Sequence, residues 1–199
     1  MVIDEKLLYS IGAKTKQYYP GEVIFEEGDS PFYYFQILEG NIKLNNYDEE
    51  GKEFIQNILG PGQSFGESIL FGDHSYPMNA VAINKCTVLK VNKNNFFALL
   101  EQHPKISMDL NKHLSERLYY KYIMLQNNSS KNPVKRLTGL LNYLKSFQKC
   151  KTPFSFQVPL TRQQMACLTG LCTETAIRVL KSMEKKDNVV QIKDRKVLY

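Results

Sequence analysis

The sequence predicts an α+β protein: an N-terminal β jelly-roll barrel, a long helix, and a C-terminal winged helix-turn-helix domain. Three observations carry this reading. From Tyr18 to Val91 the chain is rich in Tyr, Phe, Ile and Val and is cut by turn residues at short, regular intervals, the pattern of an all-β barrel. Beyond Pro104, and as far as about Asn127, an apolar residue recurs at four-residue spacing with no Gly or further Pro, the period of an amphipathic helix. Residues 159–183, PLTRQQMACLTGLCTETAIRVLKSM, then read as two short helices joined by a tight turn.

Taken in order, the barrel strands are separated by Pro20-Gly21, Glu27-Gly28-Asp29, Glu39-Gly40-Asn41, Gly51, Gly60-Pro61-Gly62, Gly72-Asp73 and Asn84-Lys85, residues that punctuate extended segments. Ile37, Ile42 and Leu44 fit strands, as do Val81, Ile83, Val88 and Val91, and Asn94–Leu100 fits a short helix. In the long helix Ile106, Leu110, Leu114 and Leu118, followed by Tyr122, Met124 and Leu125, make an apolar stripe. Such a stripe can pack on the barrel, on a second copy, or on both. The run Asn127-Asn128-Ser129-Ser130-Lys131-Asn132-Pro133 reads as a linker. Val134–Phe147 follows as a helix with Leu137, Leu140, Leu141 and Leu144 inward. Phe154–Val158 reads as a short strand, and Val189–Ile192 with Lys196–Tyr199 as a hairpin turning at Lys193-Asp194-Arg195. The expected divisions are 1–103 for the barrel, 104–130 for the stem helix and linker, and 131–199 for the winged helix.

Within 159–183, Thr161 is suited to cap a helix over Arg162–Leu168, and Gly170 supplies the positive φ of the turn. Thr173 is expected to cap the second helix, in which Ala176, Val179, Leu180 and Met183 fall at core-facing spacing. Glu174, Ile177, Arg178 and Lys181 lie on the other face. A helix-turn-helix presents the N-terminal side chains of its second helix to the major groove. There arginine grips guanine bidentately and glutamate accepts from the cytosine amine.

Charge distribution supports a polyanion partner for one half only. Residues 1–100 carry 8 basic and 13 acidic side chains, a net of −5, whereas residues 101–199 carry 18 and 7, a net of +11. Basic residues that accompany a reading helix fit double-stranded DNA better than a membrane. No apolar run approaches the roughly 20 residues of a bilayer span, and MVIDEKLLYSIG is too acidic for a secretory signal, so a cytoplasmic location is expected. Cys86, Cys150, Cys167 and Cys172 form no CxxC pair; Cys167 and Cys172 flank the turn as small packing residues. With only His74, His103 and His113, no metal site is expected, and a cupin-type metalloenzyme lacks its histidines. No Gly-x-Ser-x-Gly elbow supports hydrolysis, so the chain does not read as an enzyme.

A jelly roll, a long helix and a winged helix in this order resemble the Crp/Fnr family of bacterial transcription regulators. The resemblance covers essentially the whole chain. It rests on Gly21-Glu22-Val23-Ile24-Phe25-Glu26-Glu27-Gly28-Asp29, on Phe65-Gly66-Glu67-Ser68, and on the helix-turn-helix. It implies a homodimer on a palindromic operator, with Arg178 reading guanine and Glu174 a cytosine on the opposite strand. Arg162, Gln163, Thr175 and Lys181 would meet phosphates. Position 173, a second base-reading Arg in cyclic-AMP regulators, is Thr173 here, which implies an altered half-site. RNA polymerase is the implied protein partner.

For the effector, the resemblance assigns Glu67 to a ribose hydroxyl and the Gly66 backbone to close approach, within Phe65-Gly66-Glu67-Ser68. The phosphate position falls in Tyr76-Pro77-Met78-Asn79, and residues 1–116 contain no arginine at all. Lysine does not replace arginine's planar fork on a buried phosphate, so cyclic AMP is not the expected effector, and any small-molecule effector is unidentified. The family's base-contacting positions fall near Arg117 and Leu118. An iron–sulfur cluster has no N-terminal cysteines to hold it, and a heme has only His74 or His113. A module of the same build that senses a nucleotide-type ligand and regulates a protein partner is the alternative; Glu174 and Arg178 argue for DNA.

Overall fold

The computed structural model describes residues 3–149, 152–185 and 188–199. Helix α1 (Glu5–Ser10) leads into strands β1 (Lys14–Tyr18), β2 (Val23–Phe25), β3 (Tyr33–Glu39), β4 (Ile42–Tyr47), β5 (Glu53–Leu59) and β6 (Ser64–Phe65), and then into the one-turn helix α2 (Glu67–Leu70). Strands β7 (Asn79–Ala82) and β8 (Cys86–Asn92) follow. They sort into two antiparallel sheets, ordered β1-β8-β3-β6 and β2-β7-β4-β5. The chain changes sheet at most of its connections, which makes the jelly roll.

Two apolar clusters explain the strand patterns. Phe25, Phe35, Ile37, Ile42, Leu59, Phe65, Tyr76 and Val88 form one of them, and the Phe35 and Phe65 rings stack at 5.0 Å. In the other, Tyr34, Leu89 and Val91 pack against Leu8, Leu70, Phe96, Leu99 and Leu110. Those partners come from α1, α2, α3 (Lys93–Gln102) and the start of α4 (Pro104–Asn128). Strand β3 is therefore covered on both faces, and its four consecutive residues Tyr34–Ile37 are all buried. A strand buried on both sides loses apolar–polar alternation.

The chain divides into one unit ending at Arg117 and a second beginning at Leu118. That division falls inside α4, whereas the composition placed it at the Asn- and Ser-rich run. Leu110 belongs to the barrel's clusters, while Tyr120 is buried and its ring lies 4.7 Å from Tyr143. Helix α4 also runs on through Asn128, and only residues 129–132 separate it from α5 (Pro133–Ser146). Asn132 caps α5 by accepting from the Val134 N–H at 2.9 Å, with Pro133 in the first turn, where its missing donor costs nothing.

The second unit continues with α6 (Arg162–Leu168), α7 (Thr173–Lys185) and a hairpin of β9 (Gln191–Lys193) and β10 (Lys196–Leu198). Leu137, Leu140, Leu141, Met165, Ala166, Ala176, Leu180, Met183 and Val197 are among its buried apolar residues; Leu144 of the expected stripe is only half-buried. The hairpin turns tightly on Asp194 and Arg195, both at positive φ (48° and 62°), the signature of a two-residue I′ turn; Lys193 is the last residue of β9. The expected strand Phe154–Val158 is not regular. Phe154 sits at φ 58°, and only Gln157 forms an isolated bridge, to Leu198. Among the described residues no helix is long and apolar enough to cross a membrane.

Candidate nucleic-acid interface and effector site

The local chemistry of α6 and α7 builds a helix-turn-helix within the second unit. Thr161 Oγ1 accepts from the Gln164 N–H at 3.1 Å, and Gln164 Oε1 accepts from the Thr161 N–H at 2.8 Å, a complete capping box. Gly170 takes φ 65° in the turn. Helix α7 starts one residue earlier than a Thr173 cap requires. The Ala176 N–H donates to Cys172 O at 3.1 Å, so Cys172 is the cap and Thr173 is the first helical residue. Cys172 is exposed rather than a packing residue, while Cys167 is buried. The Cys172 sulfur lies 3.0 Å from Thr175 Oγ1, and hydrogen bonds from the Thr175 hydroxyl and backbone N–H to that sulfur hold the thiol below its ordinary pKa. Cys150 lies outside the described residues.

The core face of α7 is as the spacing requires: Ala176, Val179, Leu180 and Met183 are buried. Glu174, Arg178 and Lys181 are exposed, and Thr173, Thr175 and Ile177 are half-buried. On α6, Gln163 is exposed and Arg162 half-buried. The eight expected DNA-contact residues thus all come from this helix pair. Sequence reasoning passed over the hairpin, where Lys193, Arg195 and Lys196 are exposed around the tip. Three basic residues in a run of four were the available signal.

The barrel brings together some of the expected effector residues and not others. Gly66 precedes α2, and Phe65, Gly66, Glu67 and Tyr76 are buried; Ser68 and Pro77 are exposed. Met78 packs against the barrel's first cluster. Asn79 accepts from the Glu27 N–H at 2.9 Å and donates to Asn45 O at 3.2 Å. Arg117 Nη1 donates to Glu67 Oε1 at 2.6 Å, and Arg117 Nη2 donates to Ser64 O. The Glu67 side chain has no exposed surface, and that of Arg117 is 19% exposed. This is a charge-assisted contact in a dry setting. Among the described residues the second Glu67 oxygen and the Tyr76 hydroxyl are buried without a partner, and the Tyr76 ring stacks on Phe25 at 3.7 Å. Burial first, and the Glu67 charge second, push the Tyr76 phenol far up, so it stays a neutral donor.

His113, one helical turn before Arg117, places Nε2 at 3.9 Å from Glu67 Oε1. The i,i+4 spacing of His113 to Arg117 puts both on one face. Burial, and then the Arg117 charge, lower its pKa from 6.5 to about 4. The folded pKa is depressed, so the unfolded chain binds the proton first as pH falls. The neutral ring's contribution to stability is therefore complete above pH 6.5 and drains away down to about pH 4. Urea midpoints between neutral and acid pH should fall, and His113→Gln should flatten part of that fall. An equal slope in the variant would remove His113 from the account.

Residues 15–103 match the cyclic nucleotide-binding domain family. The chain is 27% identical over 172 residues to the cAMP-activated global transcriptional regulator CRP of Haemophilus influenzae, covering 85% of this chain and 77% of that one. Among solved structures, a CooA mutant from Carboxydothermus hydrogenoformans superposes with a TM-score of 0.82 at 19% identity, covering 98% of this chain and 87% of that one. The c-di-GMP responsive global regulator CLP of Xanthomonas campestris superposes at 0.78 and 19% identity, with 97% and 96% coverage. At these identities the structural likenesses speak for the fold.

Proposed function

We propose that the chain is a DNA-binding transcription regulator of the Crp/Fnr family and that it reads a palindromic operator as a homodimer. The observation that carries the reading is the exposed α7 face, where Glu174 and Arg178 stand one turn apart above a fully buried opposite face. Arg178 reads guanine and Glu174 reads a cytosine. Arg162, Gln163, Thr175 and Lys181 hold phosphates, which fix register without choosing sequence. The basic hairpin tip at Lys193, Arg195 and Lys196 adds to that electrostatic contact. Thr173 in place of a second arginine alters the half-site at that step.

Dimerisation is assigned to α4. Leu118, Tyr122 and Leu125 recur at four- and three-residue spacing and are 51%, 60% and 70% exposed, the period of a coiled-coil seam. Two recognition helices about 34 Å apart then meet successive major grooves. Cyclic AMP is not the proposed effector, because the phosphate position has no arginine and Glu67 is already paired with Arg117. A cytoplasmic protein that works with RNA polymerase completes the reading.

In vitro selection from random duplexes, run for wild type and Arg178→Ala side by side, tests it. The wild type should enrich a two-fold symmetric motif, and the variant should lose one guanine preference at a cost of about 1–3 kcal/mol. An unchanged motif in the variant, or no symmetric motif in the wild type, would sink the assignment.

A further inference from the structure

Within the second unit, a polar junction joins the last turn of α4 to the turn of the helix-turn-helix. The final carbonyls of a helix find no partner inside it. At the end of α6 two carbonyls are met from other helices. Leu168 O accepts from Asn128 Nδ2 of α4 at 3.1 Å, and Thr169 O accepts from Arg136 Nη1 of α5 at 3.2 Å. Arg136 also donates through Nε to Ser130 O at 2.6 Å. One guanidinium thus spans the connection after α4 and the end of α6, and a cation there suits the negative end of the helix.

The surroundings leave this junction little freedom. Thr169 is fully buried, and its hydroxyl turns back to Met165 O at 2.7 Å. The Leu171 N–H closes the turn on Ala166 O at 2.9 Å, and α7 begins two residues later. A short, closed turn passes a displacement at Thr169 to Thr173 instead of absorbing it. On the other side, a Cβ on Gly139 would lie 2.2 Å from Asn127 Cγ, so the Asn127 side chain of α4 packs directly on the α5 backbone at Gly139.

We infer that Asn128 and Arg136 are positioning residues for DNA reading: they clasp the end of α4 onto the α6–α7 turn and so set the half-site spacing the dimer accepts. The inference rests on the dimeric reading proposed above. Base choice stays with Glu174 and Arg178, whereas the distance between two reading helices depends on how each α7 is held against its own α4. Loosening the clasp therefore relaxes spacing without altering the half-site sequence.

The test is selection with full-length Arg136→Gln and Asn128→Ala from duplexes in which the half-site sequence and the spacer length both vary. The wild type should enrich one spacing. The variants should keep the same half-site, while their preference for that spacing over one base pair more or fewer falls about tenfold. Equal loss of affinity at every spacing, with the preference intact, would mean a merely structural role and overturn the inference. A second measurement separates the clasp from the dimer reading. Bio-orthogonal spin labels at Gln126 and Lys185 should give a narrow distance distribution in the wild type and a broad one in Arg136→Gln. Unchanged width removes the clasp; a changed width without any two-fold motif in the wild type faults the dimer reading alone.

Discussion

Arg117→Ala is expected to destabilise the N-terminal unit by about 3–5 kcal/mol, the cost of leaving a buried charge without its partner. Glu67 has no exposed surface, and among the described residues its strong donor is Arg117. Truncation also removes the donor to Ser64 O. The comparison that isolates the pair is the double variant Glu67→Leu with Arg117→Met, in which neither charge remains. Replacing both members of a buried pair by apolar side chains is often neutral, so the double variant should recover most of the loss. Urea unfolding followed by far-ultraviolet circular dichroism reads both. An Arg117→Ala midpoint equal to wild type would show that water reaches Glu67 and that the contact holds nothing.

Gly40→Ala is expected to cost about 2–5 kcal/mol, from left-handed backbone strain and overpacking together. Gly40 lies between β3 and β4 at φ 83°, and an added Cβ would sit 2.4 Å from Lys85 O and 2.8 Å from Cys86 Cα. Both are backbone atoms of a neighbouring connection and have nowhere to go. Gly21→Ala is the matched control, since Gly21 has a nearly identical φ of 84° with nothing within 4 Å of the added carbon. It should show the backbone strain alone. Thermal melts should place Gly40→Ala about 5–15 °C below wild type, with Gly21→Ala between them. If the two glycine variants melted together, the close approach at Lys85 would carry no weight.

Both effects lie where sequence reasoning was weakest, and the reasons are physical. The reading helices were legible because their signals are local. A capping threonine, a turn glycine and a 3.6-residue apolar period act within a few positions, and Thr161, Gly170 and the Ala176–Met183 stripe behave as that chemistry demands. The start of α7 was misplaced by one residue because Thr173 and Cys172 can each occupy the cap, and threonine has the better intrinsic preference. The Phe154–Val158 segment carried the right residue types for a strand. Its single bridge to Leu198 depends on where the hairpin lands, which local propensity does not encode. The basic hairpin tip was readable as charge but not as a surface.

The effector site shows the boundary most clearly. That no arginine precedes Arg117 is a fact of sequence, and it is why cyclic AMP is not the proposed effector. That Arg117 turns back to Glu67, 50 positions earlier, is a fact of tertiary structure. The sequence by itself determined the barrel-then-helix-then-winged-helix order, the charge division between the halves, and the side chains on the exposed face of α7, since each follows from composition or short-range periodicity. Only the tertiary structure decided which buried carboxylate meets which guanidinium, where the two units divide along α4, and what meets the last carbonyls of α6. Those choices depend on groups far apart in the chain that pair because burial makes an unsatisfied charge or carbonyl costly.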